Sequence, residues 1–277
     1  MRFRRTLTIA ALWFLLEAGA WHPAAAATLT GSAGPGIVPA RVMIEPRDGI
    51  RALIRFIDKS QHLLFVECYI LTDKLVVRGL ERAAAQGVRV FVMLEPHPLG
   101  MGTQPQRMAD QLRAAGIAFR WSSPSFALTH AKFIVADDRR ALISTANMSR
   151  SAFSGNREFL VVDDVPADVR TVSAIFRDDW DRLSATPRDP NIVVSPRARA
   201  PLDALLRRAH RELDLYSEEL LDGPTAALLE SIARRGVRVR VLLPSSATPI
   251  DGAALARSGV RIRLVAKPYI HAKAVLI

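Results

Sequence analysis

His130 and Lys132 stand two apart in the run Thr129-His130-Ala131-Lys132-Phe133-Ile134-Val135-Ala136-Asp137. Its β-branched and aromatic residues predict a strand that stops at the polar turn Asp137-Asp138-Arg139-Arg140. Alternate side chains of a strand share a face, so the imidazole and the ammonium leave together while Ala131, Phe133 and Val135 leave on the other side. Ala141 to Asn147 predicts a returning strand whose period of two brings Thr145 and Asn147 together, and Glu158 supplies a carboxylate just ahead of the apolar run Phe159 to Val162. These groups are what phosphodiester chemistry uses: a neutral imidazole to attack phosphorus, a carboxylate to orient it, and fixed donors for the phosphoryl oxygens, with no metal required. Taken alone, a His-x-Lys pair describes a satisfied core histidine beside a snorkelling lysine. The rest of the chain reverses that reading.

The elements that must position these residues alternate. Asp48 is expected to cap a helix running to about Lys59, with Ile50, Leu53, Ile54 and Ile57 along one face. Strands follow at Leu63 to Leu71, Val88 to Leu94 and Ile117 to Trp121, with helices at Leu75 to Gln86 and Gln106 to Ala115, closed by Gly87 and Gly116. A Pro/Gly loop spans 95–105, and its Leu99 and Met101 suit either a lipid surface or, as preferred here, an ordinary turn with two anchors. Alternating strands and helices imply a largely parallel sheet covered by helices.

The second half repeats this order. Leu80 to Val90 matches Leu229 to Val239 at an offset of 149, Ala115-Gly116-Ile117 matches Ser258-Gly259-Val260 at 143, and His130-Ala131-Lys132 matches His271-Ala272-Lys273 at 141. A helix–Gly–strand match alone is common α/β grammar; a second His-Ala-Lys arriving in register is not. Residues 184–190 form a linker between the halves, after which a strand at Ile192-Val193-Val194 and a helix from Leu202 to Arg211 are expected. Arg197, Arg199, Arg207, Arg208 and Arg211 make a phosphate-facing rim or, preferred here, the wet side of that helix.

Composition bounds the function classes. The chain has 277 residues, 49% of them hydrophobic, enough for a real core. The single cysteine, Cys68, excludes an internal disulfide framework, and neither Cys-x-x-Cys nor His-Glu-x-x-His occurs, so no recognisable zinc site and no cofactor is indicated. The net charge is +11, and the first 27 residues account for two of those charges; a basic surface suits phospholipid head groups or nucleic acid alike. Arg2, Arg4 and Arg5, the apolar stretch Leu7 to Trp21 and Ala24 to Ala27 form the three regions of a signal peptide over 1–27, with an uncleaved anchor as the competing reading because Glu17 interrupts the stretch. The expected location is secreted or periplasmic, with a small-residue linker at 28–40.

His130-x-Lys132-x(4)-Asp137, followed by Thr145-x-Asn147 and Glu158, resembles the motif of the phospholipase D superfamily, and His271-x-Lys273 makes the chain similar to its two-motif members. The resemblance covers nearly all of 41–277. It implies an α/β, phospholipase D/nuclease-like fold of two pseudo-symmetric repeats, 41–187 and 188–277, each with a mixed, largely parallel sheet flanked by helices. One active site lies at their interface. It further implies a metal-independent phosphodiesterase working through a phosphohistidine, with His130 as nucleophile and His271 as general acid, or the reverse. Lys132, Lys273 and Asn147 would hold phosphoryl oxygens, Thr145 would donate beside them, Glu158 would orient His130, and Asp137 would be structural.

The sequence departs from the family pattern after Lys273. It reaches Ile277 before a matching Asp, and the second copy lacks its own Thr/Ser, Asn and carboxylate, so an incomplete copy of a longer protein is expected, with nothing visible to steady His271. The function expected is a phospholipase D-type hydrolase releasing phosphatidate and an alcohol at a membrane surface, or transferring the phosphatidyl group. The alternatives are an endonuclease, disfavoured by an aromatic content of only 6%, and a non-catalytic phosphate-binding module. No obligate protein partner is inferred.

Overall fold

The computed structural model describes residues 41–183 and 191–277. The expected signal peptide at 1–27, the linker at 28–40 and the linker at 184–190 lie outside these residues. The first half runs β1 (Arg41–Glu45), α1 (Arg51–Asp58), β2 (Leu63–Cys68), α2 (Lys74–Ala85), β3 (Arg89–Leu94), α3 (Gln104–Ala114), β4 (Ala118–Trp121), β5 (Lys132–Ala136), β6 (Arg140–Ser144), α4 (Arg150–Ser154), β7 (Asn156–Asp163) and α5 (Pro166–Trp180). The second runs α6 (Arg199–Arg207), β8 (Glu212–Tyr216), α7 (Gly223–Arg234), β9 (Arg238–Pro244), α8 (Gly252–Arg257), β10 (Arg261–Val265), β11 (Tyr269–Ile270) and β12 (Ala274–Leu276).

The first sheet has the order β1-β7-β6-β5-β2-β3-β4. Strands β2, β3 and β4 are mutually parallel, whereas β5, β6, β7 and β1 join in antiparallel steps. The mixed α/β sheet flanked by helices is the expected class, but parallel ladders form a smaller share of it than alternation suggested. The reason is that β5 turns directly into β6, and β6 returns as β7 after only the short helix α4, so neighbouring strands run antiparallel and neither connection is a crossover. The second sheet, β10-β9-β8-β12, repeats the order β4-β3-β2-β5 with the same parallel, parallel and antiparallel steps.

Local chemistry fixes the equivalent elements alike. Asp73 caps α2 by accepting the Leu75 and Val76 N–H groups at 2.8 and 3.3 Å, and Asp222 caps α7 by accepting Thr225 N–H at 2.9 Å. Each helix is followed by a glycine at positive φ, Gly87 at 87° and Gly236 at 86°, a conformation other residues adopt only with strain. One core packs α1 and α2 on the first sheet through Leu53, Ile57, Leu64, Val66 and Leu80; a second packs α5 on the opposite face through Phe65, Phe133, Val172 and Phe176. The second half has its own core around Leu213, Leu229, Ile232 and Val239. Burying each such side chain contributes about 1.5–3 kcal/mol.

Three local expectations are corrected. Asp48 does not cap α1: its carboxylate turns back to accept Ile44 N–H at 2.7 Å and pairs with Arg47, and α1 begins after Ile50 without a side-chain cap. Ile192-Val193-Val194 is not a strand; Ile192 and Val194 pack against the α5 core of the first half, so apolar character there serves docking, not pairing. The helix expected over 202–211 spans Arg199–Arg207, where Arg199 pairs with Asp222 at 2.7 Å and the other arginines lie exposed.

Asp137 and Asp138, both at positive φ, turn β5 into β6. The Asp137 carboxylate accepts N–H groups of Gln61, His62 and Leu63 at 3.0, 2.7 and 2.9 Å, tying the entry of β2 to the exit of β5. Burial opposes ionisation there, but the backbone donors outweigh it and hold the carboxyl below its usual range. Asp137→Ala should cost about 1–3 kcal/mol by urea unfolding, since three donors lose their acceptor; an unchanged midpoint would contradict this clamp.

Candidate active site

Strand β5 begins at Lys132, later than the expected start at Thr129, and the reason bears on the site. The last β2–β5 ladder pair is Cys68 with Lys132, after which the chain peels away. Tyr69 N–H holds the Ala131 carbonyl at 3.0 Å, and the buried Glu95 carboxylate accepts Thr129 N–H at 2.7 Å and Ser122 Oγ at 3.3 Å. His130 thus stands at the mouth of the strand. The Tyr69 ring meets its imidazole edge to face at 4.5 Å between centroids, and Lys132 Nζ lies 5.3 Å from the same ring while donating to the His130 carbonyl at 2.9 Å.

The second motif reaches this mouth by β-sheet addition. Strand β11 pairs in parallel with the start of β7, Tyr269 opposite Asn156 and Ile270 opposite Arg157. The Ala272 N–H then donates to the Arg157 carbonyl at 2.9 Å. His271 is therefore delivered beside the next β7 residue, Glu158, with Nδ1 2.5 Å from Glu158 Oε1. The approach is closer than it is well aligned, since Nδ1 completes no hydrogen bond of normal angle. Glu158 is fully buried, and its other oxygen accepts Thr145 Oγ1 at 2.7 Å.

This geometry corrects two expectations. Glu158 steadies His271, not His130, and so supplies from the first half the carboxylate that the second copy lacks. Thr145 is committed to Glu158 and to Phe159 N–H at 3.0 Å, so it acts through the carboxylate instead of donating to substrate. Asn147 keeps a buried Oδ1 without a hydrogen-bond partner among the described residues. Asp137 lies at the far end of β5, engaged with backbone donors.

Glu218, two residues past β8, was missed by sequence reasoning. Its Oε2 accepts from Lys273 Nζ at 2.6 Å and lies 3.5 Å from His271 Nε2, while Oε1 accepts Tyr269 Oη at 3.0 Å. The signal was present: Tyr69 and Glu218 each stand four residues before a helix-capping aspartate, Asp73 and Asp222, at the repeat offset of 149.

The charges of both halves act on one another. Burial, then Lys132, Lys273 and His271, push His130 down to about 4, against a weaker opposing pull from Glu218. Lys132 is pushed down to about 8, chiefly by burial. Two of the charges acting on His130, those of Lys273 and His271, come from the second half, so they stand near it. Cys68 is buried with its thiol pushed up to about 11, principally by burial, which disqualifies it as a thiolate nucleophile near neutrality. Among the described residues, no group of three or more His, Cys, Asp or Glu could hold a metal ion.

Residues 53–180 match the family model described as Cardiolipin synthase, PLD-like domain. Over 285 residues the chain is 21% identical to cardiolipin synthase A of Pseudomonas aeruginosa, covering 86% of this chain and 57% of that protein, so it spans little more than half the length of such relatives. Among solved structures, it resembles phosphatidylserine synthase of Haemophilus influenzae with a TM-score of 0.65 at 12% identity, over 86% of this chain and 75% of that one. Polyphosphate kinase from Porphyromonas gingivalis gives 0.64 at 18%, over 85% and 42%. Fold and cleft define an α/β protein of two pseudo-equivalent halves that share one two-histidine site. Residues 53–180 carry a phospholipase D-like domain.

The His130 environment makes a direct prediction. Followed by NMR, its imidazole should titrate near pH 4, well below the usual ~6.5. Lys132→Met, which removes a nearby cation, should move the midpoint upward. A midpoint that is ordinary in the parent protein and unmoved in the variant would contradict the proximity of the cations.

Proposed function

We propose that the protein is an exported phospholipase D-type enzyme that cleaves, or transfers, the distal phosphodiester of a glycerophospholipid. The observation that carries this reading is the delivery of the second motif by the β11–β7 joint to Glu158 of the first half, where His271 and Lys273 act on His130, and Lys273 on Lys132. His130, kept neutral by its surroundings, attacks phosphorus; the bond to the departing oxygen breaks as His271 Nε2 gives that oxygen its proton. Water or an alcohol, deprotonated by His271, then attacks the phosphohistidine, restoring free His130 and protonated His271. The role of Glu158 is to hold Nδ1 so that Nε2 faces the cleft.

A lipid substrate suits the rim. Leu99 is 89% exposed, and its N–H donates to Tyr69 Oη at 2.8 Å, one residue removed from the imidazole of His130. Phe126 and Leu128 are exposed on the neighbouring loop that Glu95 ties down. Apolar side chains displayed beside a cleft suit a lipid surface. The similarity to a cardiolipin synthase and a phosphatidylserine synthase supports the same substrate class. No helix of the described residues is long and apolar enough to cross a membrane. Export rests on the amino-terminal sequence pattern alone.

Purified protein should release alcohol from phospholipid vesicles in the presence of chelator, and His130→Ala or His271→Ala should abolish turnover. Glu158→Gln should lower kcat by roughly 10²-fold or more while leaving the protein folded. Intact vesicles together with nicked plasmid DNA would replace the lipid reading by a nuclease, and full activity in either histidine variant would overturn the shared mechanism.

A further inference from the structure

The two halves cradle their lysines differently. Lys132 lies against the neutral ring of Tyr69, whereas Lys273 is bound by the carboxylate of the pseudo-equivalent Glu218 at 2.6 Å. Around the cleft, Lys132, Lys273 and His271 in its general-acid form contribute three positive charges. Glu158 and Glu218 contribute two negative ones, and His130 as nucleophile is neutral. The remainder is one positive charge, which a phosphodiester, carrying one negative charge, neutralises. A phosphomonoester, with about 1.5 to 2 negative charges at pH 7, overshoots it.

We propose that Glu218 is a specificity-determining residue that matches the cleft to singly charged phosphodiesters and disfavours doubly charged phosphomonoesters, including the product of hydrolysis. This deepens the phosphodiesterase reading and rests on it. Glu218 acts through Lys273 and His271, whose reactive nitrogens both face its Oε2, and a bound phosphoryl oxygen takes over that contact. Tyr269 holds the other oxygen, so the carboxylate remains beside the cleft when the contact is yielded. Without it the site would carry a second positive charge, hold the monoester product tightly and turn over slowly.

The test is calorimetric titration at pH 7 with methyl phosphate and dimethyl phosphate, read as the ratio of their dissociation constants. Glu218→Gln should shift that ratio at least about tenfold toward methyl phosphate, because removing the carboxylate relieves its repulsion of the second negative charge, and two like charges a few ångströms apart repel strongly even in a partly wet site. In hydrolysis of bis(p-nitrophenyl) phosphate, the same variant should lower kcat more than it alters KM. Tyr269→Phe keeps the charge and should leave the ratio within a few-fold of the parent. Lys273→Met removes a positive charge and should move the ratio the opposite way, which decides the matter even if Glu218→Gln fails to fold. A ratio unchanged in Glu218→Gln, or shifted as far by Tyr269→Phe, overturns the proposal. Failure of the parent protein to cleave any diester would count against the phosphodiesterase reading instead, and the binding ratio would still decide the role of Glu218.

Discussion

The site depends on a two-residue ladder. Where β11 adds to the start of β7, the second half is locked to the first by backbone hydrogen bonds, with Ala272 N–H extending the lock one step further. Backbone pairing fixes register, and a slip of one residue would turn side chains to the opposite face. That is why His271 meets Glu158 and not a neighbour: both follow directly from the paired segment. The imidazole and the carboxylate are held by the same joint that holds the halves together, so the geometry of catalysis and the assembly of the fold are one constraint.

A consequence is that the two motifs are similar in sequence and unequal in surroundings. His130 has an aromatic neighbour, a lysine close behind it and burial, all of which favour its neutral form. His271 has a carboxylate at each ring nitrogen, one at 2.5 Å and one at 3.5 Å. A nucleophile must be neutral, and the surroundings of His130 hold it in that form. Glu45 continues the network behind Glu158, opposite it across the β1–β7 ladder; burial, assisted by Asp48 and Glu158, pushes its carboxyl up to about 7.

Much of the first half was legible in the sequence, because its signals are local. Apolar runs bounded by Asp73, Gly87 and Gly116 define strands and helices through caps and turns that depend only on neighbours a few residues away. The repeat was legible for the same reason. What escaped depends on distant contacts. Glu158 pairs with His271 across more than a hundred residues through the β11–β7 joint, and no local pattern distinguishes that partner from His130. Glu218 looked like one acid among several until the capping aspartates aligned it with Tyr69. Ile192 to Val194 had strand composition but found a core surface to cover instead of an edge to pair with.

The central claim is that His130 and His271 face a single phosphorus atom. A crystal structure of the protein with tungstate tests it most directly, because the oxyanion mimics the transferring phosphoryl group. One tungstate is expected between the two imidazoles, within bonding or hydrogen-bonding reach of both and of Lys132 and Lys273. Two separate anions, or an anion held by one motif while the other imidazole faces solvent, would contradict it.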